Sequence, residues 1–346
     1  MTKEHKLIYW WLWLGVAMIT LILIIGGITR LTGSGLSITE WNVFMGAIPP
    51  LNEADWQAEF LKYKIIPQYA KLNATMTLEG FKFIYFWEYL HRLIARSLGI
   101  IFIIPFIYFW VKNYLSQQLK KQLLFLVLLG ALQGGLGWFM VKSGLSELVY
   151  VSHYRLAAHL SMALILMSTC VWIALTLKNK TIRKLNSDEL IFKKGFVFLG
   201  VLIVLQIIWG AFTAGLKAGY QFNTFPLMYG KLTPMNMWLL DPAILNFIQN
   251  SGTVQWIHRI LGISVLTGTA ILYWITLKNN ELITLKKLML RFSLLITTQV
   301  LLGIATLLYF TPLTLASLHQ LVAAFILMYY LNIYQQLRIS PSKTEQ

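Results

Sequence analysis

The sequence predicts an all-α integral membrane protein whose eight transmembrane helices form two repeated four-helix bundles. Three observations carry this. Hydrophobic residues make up 57% of the 346 and charged residues only 12%, against roughly a quarter charged in a soluble domain. The apolar residues run unbroken for the ~20 residues a bilayer helix requires, instead of alternating over short segments as in a barrel. Short motifs also recur in the same order in the two halves.

The first span, residues 7–29, contains no charged side chain. It is longer than a signal-peptide core and ends in Gly-Gly-Ile-Thr-Arg with no small-x-small site, so retention is expected. The second span, 85–111, opens with "YFWEYLHR". The third, fourth and fifth, 122–141, 156–177 and 195–216, are charge-free. The sixth, 253–277, begins "TVQWIHR". A charge-free run over 292–337 divides at Thr311-Pro312 into the seventh and eighth, because proline ends the preceding helix.

"EYLHR" in the second span is matched by "QWIHR" in the sixth, and "LAAHLSMALIL" in the fourth by "LASLHQLVAAFIL" in the eighth. The halves are therefore expected to be residues 1–177 and 195–346, joined by a basic linker at 178–194. An even number of spans per half gives parallel topology about an axis along the membrane normal. The third, fifth and seventh spans share Gln-x-x-x-Gly, at Gln133 and Gly137, Gln206 and Gly210, and Gln299 and Gly303. Small residues at this spacing are read as sites of close helix approach, with a flat cofactor lying on glycine as the alternative.

The net charge of +16 follows topology. Lys3, Lys6, Lys112, Lys120, Lys121, Lys178, Lys180, Arg183, Lys184, Lys193, Lys194, Lys278, Lys286, Lys287, Arg338 and Lys343 all fall on one side of the predicted spans. By the positive-inside rule both termini are cytoplasmic, and the basic charge meets anionic lipid, not nucleic acid. The long loops at 31–80 and 217–252 then lie outside and read as lids. The single cysteine, Cys170, excludes an intramolecular disulfide and a cysteine metal cluster.

Four of the six histidines, His91, His159, His258 and His319, occupy even-numbered spans, two per half. With the outer helix starts placed near residues 85, 154, 253 and 313, each lies at a similar depth, roughly 8 Å in. Neutral imidazole is a strong axial ligand for haem iron, and facing helices can offer one to each face of a porphyrin. Arg92 and Arg259 follow two of these histidines; snorkelling to headgroups and pairing with haem propionates are both open. Glu88 lies about one turn from His91 on the same face, whereas the second half has Gln255 there. A carboxylate held only once points to chemistry in the first half and a resident electron-transfer haem in the second.

The segments "GGITRLTGSGLSITEW", "GFKFIYFWEYLHR", "LQGGLGWFMVKSGL", "YRLAAHL", "AGLKAGYQFNTFPLM", "QWIHR" and "LASLHQ" resemble, in order, those of the haem A synthase (haem O monooxygenase) family. The chain resembles the branch lacking an outer-loop cysteine pair. The resemblance implies an oxidoreductase of a bacterial inner membrane that converts the C8 methyl group of haem O to a formyl group. It also implies that His91 and His159 flank the substrate haem, that His258 and His319 hold haem b, and that Glu88 is the catalytic carboxylate. Haem O synthase and terminal oxidase assembly are the implied partners, with oligomerisation open. The other reading of the histidine pairs is a non-catalytic bis-haem electron carrier of cytochrome b type.

Overall fold

The structure, a computed structural model, describes residues 1–40, 48–146, 149–178 and 185–338. Trp41 of the quoted first-loop segment, Lys180, Arg183 and Lys184 of the linker, and Lys343 lie outside the described residues. Among the described residues eight helices are long and apolar enough to cross a membrane, as the sequence predicts. They are α1 (Lys3–Leu31), α4 (Leu78–Val111), α5 (Gln117–Ser146), α6 (His153–Lys178), α7 (Ser187–Gly215), α10 (Ser251–Lys278), α11 (Ile283–Leu308) and α12 (Leu313–Gln336). Short helices α2 (Glu53–Lys64) and α3 (Pro67–Leu72) lie between α1 and α4, and α8 (Ala218–Gln221) and α9 (Asn246–Gln249) between α7 and α10. The chain is a multi-pass membrane protein.

Local chemistry fixes the helix ends. Beyond α1, Gly33 takes φ +69°, with Gly33 N–H bonded to Arg30 O and Ser34 N–H to Thr29 O. This is the reciprocal arrangement in which glycine relieves the Cβ clash of a left-handed residue. Thr77 caps α4 through Gly80 N–H, and Asn250 caps α10 through the N–H groups of Gly252 and Thr253. Pro312 occupies the N-cap of α12, so the division at Thr311-Pro312 stands.

One boundary moves. The second membrane helix begins at Leu78, not near residue 85. Its added first turns carry Phe81, Ile84 and Tyr85 into a buried cluster with Leu36, Phe60, Tyr63 and Ile66. Apolar periodicity alone misses these turns, because their burial is against α2 and α3 and not in a lipid-facing stripe.

The chain forms two compact units, Leu14–Met167, and Met1–Trp13 with Ser168–Gln346. This partition passes through α1 and α6. Within the second unit, α7 packs on α10, α10 on α11, α11 on α12 and α12 back on α7. The bundle so closed has a core including Phe192, Phe196, Phe292 and Ile333, with Tyr330 stacked on Phe196 and its hydroxyl donating to Phe196 O. Lipid is as apolar as these rings, so shape-complementary packing and hydrogen bonds favour the assembly more than water exclusion does.

Candidate functional site

Three of the four histidines, His91, His258 and His319, share one mode of support, each ring resting on a glycine of the preceding membrane helix. In the Leu14–Met167 unit, a Cβ built on Gly26 of α1 would lie 2.9 Å from His91 Cε1. In the other unit, a Cβ on Gly210 of α7 would lie 3.0 Å from His258 Cε1, and one on Gly303 of α11 would lie 2.9 Å from His319 Cε1. Real Cβ atoms almost never approach so closely, so glycine makes a seat for each ring. At Gly210 and Gly303 the Gln-x-x-x-Gly pattern lets the neighbouring helix approach closely, as expected from sequence, and the group that approaches is a histidine ring.

The glutamine four positions before Gly210 and Gly303 completes the seat at each. His319 Nδ1 lies 3.1 Å from Gln299 O. Nδ1 of His91 and of His258 is buried without a hydrogen-bond partner. A ring whose Nδ1–H faces a carbonyl presents Nε2 as a lone-pair donor, the arrangement that orients a metal-binding histidine. Nε2 of His159, His258 and His319 meets Nε2 of Gln133, Gln206 and Gln299 at 3.3, 3.5 and 3.4 Å. Oε1 of all three glutamines is buried without a hydrogen-bond partner. Sequence reading missed Gly26 because Ile22 replaces glutamine there; the i, i+4 spacing to glycine was the available signal.

His159 lies within electrostatic range of His91, and His319 within range of His258. Each unit thus holds one pair, all four residues being partly buried. Among the described residues no group of three or more His, Cys, Asp or Glu could enclose a metal ion. Two imidazoles suit a metal that brings its other donors with it. Haem does so, and the paired histidines of each unit, which leave the metal's remaining donors to be supplied from elsewhere, fit it.

Glu88 is 3% exposed and fully engaged. Its Oε2 accepts from Ser37 Oγ at 2.8 Å and Ile38 N–H at 2.9 Å, and its Oε1 from Arg92 Nη2. Arg92 also donates to Ile38 O at 2.9 Å and Glu40 O at 3.1 Å. Outside this core, Lys62 bridges the Glu40 and Glu59 carboxylates at 3.0 and 2.8 Å. Hydrogen bonds to Glu59 and then Glu40 raise the Lys62 ammonium above its ordinary range. Residues 37–40 are thereby strapped to α4 from one side and α2 from the other.

Gln255, also 3% exposed, occupies the corresponding place in the other unit. Its Oε1 accepts from Arg259 Nη2 at 2.8 Å, while its Nε2 donates to Ala218 O at 2.9 Å. Arg259 donates further to Phe222 O and Pro226 O. Both arginines therefore grip loop carbonyls, and Arg259 keeps a buried Nε–H without a partner. The Glu/Gln difference tracks the polarity of the strap: 37–38 offers donors and needs a carboxylate, whereas Ala218 offers a carbonyl and needs an amide.

A family model described as cytochrome oxidase assembly protein, COX15-CtaA, matches residues 9–331. Among curated proteins, the heme A synthase of Rhodospirillum centenum is 44% identical over 310 residues, covering 90% of this chain and 83% of that protein. That of Nitrosospira multiformis is 40% identical over 333 residues, covering 95% and 92%. The Wolbachia pipientis wMel heme A synthase is 42% identical over 344 residues, covering 98% and 95%.

Proposed function

The chain belongs to the COX15-CtaA family of cytochrome oxidase assembly proteins, and from that membership we propose that it is a haem A synthase that oxidises the C8 methyl group of haem O to a formyl group. The observation that carries the reading is the unequal pairing of the two units. Each holds two histidines braced by the preceding membrane helix, and only the unit with His91 and His159 sets a carboxylate on the helix of one of them.

In this reading His91 and His159 bind the iron of haem O and fix the plane of its ring, with its farnesyl tail in the bilayer. Removing electrons from the methyl carbon develops positive charge there. Glu88, about one turn along α4 from His91, offsets that charge and accepts the proton released. Two successive hydroxylations with water-derived oxygen and loss of water leave the aldehyde. His258 and His319 would hold haem b, which when bound supplies reversible one-electron chemistry. Arg92 and Arg259 face the propionate side, where the unpartnered Arg259 Nε–H suits a carboxylate. Electrons leave to an acceptor without a cysteine pair, since the sole cysteine is Cys170.

The proposed setting is a bacterial inner membrane with both termini cytoplasmic, supported by the basic residues at Lys3, Lys6, Lys112, Lys120 and Lys121. Functional halves at 1–177 and 195–346 follow the sequence repeat. Haem O synthase upstream and terminal oxidase assembly downstream are the partners that this reaction requires. Co-expression with a haem O source should give haem A on chromatography of extracted haems. Unchanged haem O would refute the enzyme and leave an electron carrier.

The glycine seats give a separate expectation. Gly303→Val places methyl groups where the His319 ring stands, and the ring must leave its position. Haem b retention is expected to fall about 10- to 100-fold, the usual effect of disturbing the support of a metal ligand. The reduced-minus-oxidised spectrum of purified protein, with far-ultraviolet circular dichroism as a fold control, checks it. An undiminished spectrum would show the seat to be dispensable.

A further inference from the structure

We propose that Ser37 is a positioning residue for Glu88, and that its hydroxyl with the Ile38 N–H aims the carboxylate used in the oxidation. The inference rests on Glu88 being the reacting carboxylate.

Ser37 is 1% exposed, and its hydroxyl carries one proton with two acceptors in reach, Glu88 Oε2 at 2.8 Å and Ile84 O at 3.4 Å. The shorter contact, to an ionisable oxygen, is the stronger. Ile38 N–H reaches the same oxygen at 2.9 Å, so Oε2 is held by two donors from consecutive residues while Arg92 holds Oε1. A carboxylate fixed at both oxygens has neither rotation about its last bond nor sideways drift available to it. Such locking of a reactive group by its supporting contacts is what a precise site requires.

The support is itself anchored. A Cβ on Gly144 of α5 would meet Leu36 Cδ1 at 2.6 Å, so the residue before Ser37 sits in a glycine notch. Ser37 N–H bonds to Ser34 O, Ser34 Oγ and Thr32 Oγ1 are 2.6 Å apart, and Gln68 Nε2 donates to Gly33 O. The 33–38 backbone is therefore tied to α1, α3 and α5, and Ser37 inherits that rigidity. The other unit supplies a contrast. Gln255 there is met by the Ala218 carbonyl, and neither hydroxyl nor N–H from its loop is bonded to it. Donors appear only where the carboxylate does.

The test compares Ser37→Ala, Ser37→Thr and Ser37→Cys as haem-loaded full-length proteins in membranes supplied with haem O. Loss of a hydrogen bond to a charged acceptor predicts a kcat for Ser37→Ala lowered about ten- to a hundredfold. KM for haem O should stay unchanged, since the strap still closes through Arg92. Threonine should restore most of the rate and cysteine, a weak donor, only part. Infrared difference spectra, with Glu88→Gln as the reference that removes the carboxylate bands, should show those bands displaced in Ser37→Ala and returned in Ser37→Thr. If Ser37→Ala fails to bind haem b, the threonine and cysteine pair makes the same comparison. A wild-type kcat in Ser37→Ala, or a loss that leaves the carboxylate bands in place, overturns the inference. Haem A formation by Glu88→Gln overturns instead the assignment of Glu88 on which it rests.

Discussion

Glu88→Gln is expected to abolish haem A formation by a factor of about 10² or more, the typical contribution of a positioned acid–base group, while haem b stays bound. The change keeps two of the three contacts that hold this side chain and breaks the third. A glutamine oxygen can still accept from Arg92, as it does at Gln255 and Arg259. Its amide would then face Ser37, whose hydroxyl can turn to accept, and Ile38 N–H, which cannot. One buried donor is left opposed by another donor, at a cost of about 1–3 kcal/mol. Glu88→Gln thus removes the base and loosens the strap together. Ser37→Ala separates the two, because it loosens the strap and keeps the base. Haem extracts from cells that make haem O, with the haem b spectrum as a control, measure the outcome. Near-normal haem A would make Glu88 a strap anchor alone.

The second large effect concerns the histidines. His258→Ala or His319→Ala should remove most of the low-spin haem b spectrum, since in the proposed reading each deletes an axial ligand and opens a cavity beside a buried glutamine already lacking one partner. His91→Ala should keep that spectrum and stop haem A formation. The two classes separate because His91 and His159 belong to one compact unit and His258 and His319 to the other. Optical spectra of the three purified variants decide this. A haem b signal that survives both His258→Ala and His319→Ala would remove the assignment, and one lost in His91→Ala would exchange the roles of the units.

The eight spans and the histidine pattern were legible in the sequence for one physical reason. Hydrocarbon offers no hydrogen-bond partners, so each span must satisfy its backbone within itself and announces itself as a local apolar run. The start of α4 at Leu78 was not legible, because Phe81 and Tyr85 are buried by α2 and α3, elements with no membrane signature. The glycines of two seats were visible as a spacing for close approach, but the group that approaches was not. Which side chain stands opposite a missing Cβ is decided only by packing. The contacts of Glu88 were the least legible of all. Ile38 and Glu88 are 50 positions apart, and the polarity of the strap depends on loop backbone directions that no local pattern encodes. The sequence by itself determined that one half carries a carboxylate and the other an amide. The tertiary structure decided what each is complementary to: two donors at 37–38 in one unit and the Ala218 carbonyl in the other.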